Sequence, residues 1–150
     1  MNVQAVMNQK VKFTGLKATL TEAARIMANN DCGALPIVDD EKKVLGMVTD
    51  RDICLAMANA NRLPSEIPVE QVMSKKVYAC GPDEAIPAAL QTMRNKKVRR
   101  LPVIDSDGKL VGILSMDDIV LHGEGSGQTI KTLKAIYRRP GDKKELIARP

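Results

Sequence analysis

The sequence predicts an α+β fold: two copies of a βαββα unit, packed sheet on sheet as one pseudo-two-fold body with helices outside. Three observations predict it. Sliding the chain along itself superposes its halves without a gap: Met7 falls on Met73, Ala23 on Ala89, Met27 on Met93, Leu35-Pro36 on Leu101-Pro102, Gly46 on Gly112 and Asp52-Ile53 on Asp118-Ile119. Each half holds one apolar stripe at helical spacing. Each half also holds two short apolar runs separated by an acidic turn. A unit of roughly 60 residues buries little core by itself, so the copies are expected to share one body.

In chain order, Val11 to Thr14 reads as a short strand. Leu20, Ala23, Ala24 and Met27 then share one helix face, and Thr19 with Glu22 forms a capping-box pattern at its start. Ala34 to Val38 and Val44 to Thr49 read as a hairpin closed by Asp39-Asp40-Glu41-Lys42-Lys43. A second helix is expected over roughly 50–58, and residues 59–68, with Pro64 and Pro68, link the copies.

The second copy repeats this order. Ile86, Ala89, Leu90 and Met93 make the stripe, and Pro87 is tolerated because first-turn N–H groups have no intrahelical partner. Leu101 to Ile104 and Leu110 to Ser115 flank the turn Asp105 to Lys109, and a helix follows at roughly 116–122. The repeats are therefore expected over 1–58 and 69–122. Residues 123–150 read as a flexible linker, Gly123 to Gly127, followed by a basic C-terminal tail, and the repeat pair is expected to fold without residues 128–150. Within that tail Ile130, Leu133, Ile136 and Tyr137 could form one face of a short helix, stopped by Pro140-Gly141.

Composition narrows the function. The formal net charge is +5, but aromatic residues are only 2%, which leaves almost no stacking platform for single-stranded nucleic acid. Much of the surplus lies in Lys131, Lys134, Arg138, Arg139, Lys143, Lys144 and Arg149, so nucleic acid is not the expected partner. No apolar run approaches the ~18 residues that span a bilayer, and residues 1–12 lack an apolar signal core. No membrane contact is expected, and the cytoplasm is the expected compartment. Cys32, Cys54 and Cys80 form no CxxC pair and His122 is the single histidine, so no metal site is expected. The cysteines read as small buried apolar groups. No P-loop or GxGxxG occurs, and His122 has no nucleophile at a motif spacing. No catalytic residue is expected, and the chain is not expected to be an enzyme.

The junction of last strand and last helix is distinctive in both copies. It reads Gly46-Met47-Val48-Thr49-Asp50-Arg51-Asp52 and Gly112-Ile113-Leu114-Ser115-Met116-Asp117-Asp118. Together with the doubled Leu-Pro strand, it makes the chain resemble tandem cystathionine-beta-synthase-type (CBS) domain pairs, the Bateman-type module, from Val3 to about His122. The resemblance implies a regulatory module that binds an adenosine-containing ligand: AMP, ADP, ATP or S-adenosylmethionine. It also implies a flat homodimer whose shape reports occupancy to a separate regulated protein.

The resemblance further implies that Thr49 with Asp52, and Ser115 with Asp118, hold the ligand, each Asp gripping the ribose hydroxyls. A carboxylate can accept from two vicinal hydroxyls, and a hydroxyl at a helix start suits a phosphate. Adenine is expected against the strands entered by Ala34-Leu35-Pro36 or Arg100-Leu101-Pro102. Arg99 and Arg100 stand where family members often carry a phosphate-binding cation, and Gly33 and Ala34 replace them in the first copy. Phosphate preference is therefore expected beside Ser115 and Asp118, with Arg51 and Lys97 as further candidates. The same Thr-x-x-Asp spacing is also a helix cap, which needs no ligand. Two rival functions remain: a ligand-free scaffold that kept the fold, and nucleic-acid binding through the basic tail.

Overall fold

Why a proline can stand inside each hairpin strand is answered by what lies on the far side of its partner. In the computed structural model, which describes residues 1–122 and 126–137, β2 (Ala34–Val38) pairs antiparallel with β3 (Val44–Thr49), placing Pro36 opposite Met47. The Met47 N–H and C=O point away from Pro36 and bond Ser74, at 3.0 and 2.8 Å. The second hairpin, β4 (Arg100–Ile104) with β5 (Leu110–Ser115), sets Pro102 opposite Ile113, whose main chain bonds Asn8 at 3.1 and 2.9 Å. Neither proline faces a group that needs its missing N–H.

These bonds also cross the repeats. The start of the second repeat, at Ser74, is stitched to the first hairpin, and the N-terminal segment, at Asn8, is stitched to the second. Val3 and Val6 lie in the core of the second repeat with Leu90, Met93, Leu101 and Leu114. Ile67 and Val69 lie in the core of the first with Leu20, Leu35, Ile37 and Val48. The two hairpins meet at their turns, where Leu110 N–H donates to Lys42 O at 2.9 Å. The fold is α+β, as the duplication predicts.

Glycine allows the close approach at both crossings, more tightly at Gly46 than at Gly112. A Cβ at Gly46 would sit 2.6 Å from Met73 Sδ and 2.8 Å from Ser74 O; at Gly112 it would sit 2.7 Å from Met7 Sδ and 3.1 Å from Asn8 O. The methionines that match in the duplication are thus the side chains laid over the glycines that match.

The first helix α1 (Leu20–Asn29) begins with the expected capping box: Thr19 Oγ1 accepts from Glu22 N–H at 3.2 Å, and Glu22 Oε2 accepts from Thr19 N–H at 2.7 Å. Leu20, Ala23 and Met27 are buried. The second, α2 (Asp50–Ala60), turns Ile53, Ala56, Met57 and Ala60 toward the same core. In the other half, α3 (Ile86–Lys96) buries all four stripe residues, with Pro87 in its first turn. The strand expected from Val11 is shorter and later: β1 covers Thr14–Gly15 and runs parallel to the end of β2. Its counterpart is a single bridge from Cys80 to Val103.

The halves diverge at their ends. After α4 (Met116–Leu121), residues 123–125 of the expected linker lie outside the described residues, and α5 (Ser126–Tyr137) begins at once. This helix packs on α3. Leu133 and Ile136 join the second core and Thr132 is fully buried, its hydroxyl 3.5 Å from Leu90 O. Gln128 Nε2 donates to Pro87 O at 3.2 Å. The tail therefore contributes core to the second repeat, which its basic composition conceals, while Ile130 faces solvent at 54% exposure. The stop expected at Pro140-Gly141 falls outside the described residues.

Candidate functional site

Both strand–helix junctions fold as capping boxes. Thr49 Oγ1 accepts from Asp52 N–H at 3.1 Å while Asp52 Oδ2 accepts from Thr49 N–H at 2.9 Å. Ser115 Oγ accepts from Asp118 N–H at 3.1 Å, and Asp118 Oδ2 accepts from Ser115 N–H at 2.8 Å and from its hydroxyl at 2.6 Å. The cap uses one oxygen of each carboxylate. A carboxylate has two, and among the described residues no hydrogen bond reaches Oδ1 of either aspartate. All four side chains are half-buried. Capping and ligand binding are therefore compatible in the same residues.

Each junction borders a cleft. Thr49 and Asp52 line the first, of about 630 Å³, and Ser115 and Asp118 line the second, of about 540 Å³. Both fall within the ~300–1,000 Å³ usual for small-molecule sites. Each is built across the repeats. The first takes Ser74, Lys76 and Tyr78 from the start of repeat two, Lys97 and Arg99 from its helix–strand loop, and Arg100 and Pro102 from β4. The second takes Asn8, Lys10 and Lys12 from the N-terminal segment, and Asp31, Cys32 and Gly33 from the corresponding loop of repeat one.

This crossing corrects the expected pairing of cations with junctions. Arg99 lines the cleft of Thr49 and Asp52, as do Arg51 and Lys97, while Arg100 and Ala34 line both clefts. The cations gather beside Thr49 and Asp52, whereas the sequence pairs Arg99 and Arg100 with the hairpin that follows them. Pro102 lines the first cleft; Pro36 is buried in β2 and lines neither. Lys76, Tyr78, Lys10, Lys12 and Asp31 lie outside the motifs read from the sequence. The duplication could have found Lys10 and Lys76, which match each other, and Asp31, which is the counterpart of Lys97. Lys76 and Lys96 stand over the Tyr78 ring at 5.9 and 5.2 Å from its centre, within cation–π range.

The cysteines differ from one another. Cys80 is buried, Cys32 half-buried and Cys54 exposed, so the expectation of three buried thiols holds for Cys80 alone. Burial pushes the Cys80 thiol up to about 12, with the Glu84 charge adding to it. Cys32 is also raised, chiefly by burial. Raised thiols are poor nucleophiles. His122 caps the C-terminal end of α4, with Nδ1 2.6 Å from Asp118 O. Among the described residues no group of three or more His, Cys, Asp or Glu side chains could hold a metal ion, and no helix is long and apolar enough to cross a membrane.

Comparison with known proteins agrees with this architecture. A family model for the CBS domain matches residues 3–59 and 69–124. Hypoxic response protein 1 of Mycobacterium tuberculosis is 38% identical over 117 residues, covering 78% of this chain and 81% of that one. A crystal structure of Hypoxic Response Protein I with two coordinated zinc ions superposes with a TM-score of 0.71 at 35% identity, over 81% of this chain and 98% of that one. The CBS domain pair of protein MJ0100, in complex with 5′-methylthioadenosine and S-adenosyl-L-methionine, superposes with a TM-score of 0.72 at 27% identity, over 82% of this chain and 100% of that one.

Proposed function

The chain belongs to the CBS-domain family, and from that premise we propose that it is a non-catalytic regulatory module binding an adenosine-containing ligand at its two strand–helix junctions. The observation that carries this reading is the doubled aspartate: Asp52 and Asp118 each line a cleft and each retain an oxygen that the helix cap does not use. A ribose offers two adjacent hydroxyls to such an acceptor, and a bond to a charged group contributes about 1.5–3 kcal/mol. The adenosyl ligands of the similar MJ0100 pair support the ligand class.

The module acts in the cytoplasm as a homodimer and signals by shape to a separate protein. A ligand shifts such an equilibrium only through its different affinity for the two dimer geometries. Thermal unfolding with adenosine, AMP, ATP and S-adenosylmethionine tests the ligand reading. At ~100 Kd a ligand that binds only the folded state adds about 2.7 kcal/mol, a clear rise in midpoint. An unmoved transition with all four would leave a ligand-free scaffold as the function.

A further inference from the structure

The duplication provides an internal control, because equivalent positions should carry equivalent chemistry if both clefts hold the same ligand. At two rim positions they carry opposite charge. Lys97, at the end of α3, has a left-handed backbone with φ 55° and lines the first cleft. Its counterpart Asp31, just past α1, has φ 48° and lines the second. Few residues other than glycine, Asn and Asp adopt this conformation. The backbone has thus been kept in both copies while the charge has been inverted. Arg51 and Asp117, each the second residue of its helix, repeat the inversion on the opposite walls. Arg99 on the first cleft is matched by the neutral Gly33 on the second.

The sums over the described walls differ accordingly. The first cleft carries five cations, Arg51, Lys76, Lys97, Arg99 and Arg100, against the carboxylates of Asp50 and Asp52. The second carries three, Lys10, Lys12 and Arg100, against Asp31, Asp117 and Asp118. A cleft lined by one sign of charge concentrates ligands of the other sign.

We infer that the clefts take adenosyl ligands of different charge: the first a nucleotide bearing phosphates, the second an adenosyl compound whose 5′ substituent is uncharged or zwitterionic. In the second cleft Asp31 and Asp117 repel phosphate but suit a cationic centre, and Lys10 and Lys12 suit a carboxylate. The inference rests on the adenosine-binding reading and adds the selectivity of each site.

Isothermal titration with ATP, adenosine and S-adenosylmethionine tests it. Asp52→Ala abolishes the ATP site and spares the S-adenosylmethionine site, and Asp118→Ala does the reverse. Combining Arg51→Asp with Lys97→Asp weakens ATP by about tenfold or more at low salt, less at high salt, and changes adenosine by under about twofold. Lys97→Ala, a milder change at an exposed position, weakens ATP in the same direction. Combining Asp31→Lys with Asp117→Arg admits ATP to the second cleft. ATP binding equally to both clefts, or ATP affinity unmoved by the inversions while adenosine still binds, overturns the selectivity and leaves the ligand class standing. If wild-type protein binds none of the three, both readings fall.

Discussion

Gly46 and Gly112 face the same neighbours, a methionine sulfur and a main-chain carbonyl, while Lys97 and Asp31 share a backbone conformation and carry opposite charges. The scaffold of the two repeats has stayed interchangeable where chains cross at van der Waals distance. There a single added carbon presses on a methionine sulfur and a main-chain carbonyl, so substitution is constrained, most at Gly46. The cleft rims are solvent-facing, and a changed side chain there costs little stability, so the two rims were free to diverge. The ends of the repeats diverge too: α2 closes the first half alone, whereas α4 stops after Leu121 and α5 completes the second.

That last difference gives the largest expected effect. Ending the chain before Ser126 uncovers the α3 face under Thr132, Leu133 and Ile136 and should lower stability by roughly 2–5 kcal/mol, read by chemical denaturation. A truncated protein as stable as the full chain would return α5 to the role of an appendage. Next come the glycines. Gly46→Ala should cost about 1–3 kcal/mol, and Gly112→Ala should cost less, since its carbonyl neighbour stands at 3.1 Å rather than 2.8 Å. The reverse order in urea melts would break the account of the crossings. Thr49→Ala and Ser115→Ala each remove one capping acceptor and should cost about 0.5–2 kcal/mol. A pair of near-zero effects would mean that the caps matter to the ligand alone.

The thiols give the smallest effect. Native-state alkylation should proceed in the order Cys54, Cys32, Cys80, following exposure. The folded Cys80 thiol sits at about 12 against an ordinary value of 9.0. It holds its proton more tightly folded than unfolded, so its contribution is complete below about pH 9 and is lost as pH climbs toward 12. Cys80→Ala should flatten the decline of stability across that window, and an unchanged slope would assign the decline to other groups.

Much of the molecule was legible because the duplication makes its own alignment. The helix stripes, the hairpins and the two junction capping boxes with their aspartates follow from residues that match between halves. The box of Thr19 with Glu22 is legible in the first half alone, its counterparts being Ala85 and Ala88. The partnership of clefts was hidden, because Asn8 and Ser74 cross between repeats through main-chain bonds that leave no side-chain pattern. That is why the sequence pairs Arg99 with the hairpin next to it and not with the cleft of Thr49 and Asp52 that it lines. The role of α5 was hidden by its lysines and by the glycines before it. Thr132 at full burial is a position that no hydrophobic stripe would mark.

The central claim is that Asp52 and Asp118 are the ribose acceptors of two separate adenosyl sites. Counting adenosine sites by isothermal titration in wild type, Asp52→Ala, Asp118→Ala and the double variant tests it most directly. The predicted series is two sites, one, one and none, with each loss reflecting a weakening of about ten- to a hundredfold. Two sites of unchanged affinity in the folded double variant would contradict it, and would leave both aspartates as helix caps only.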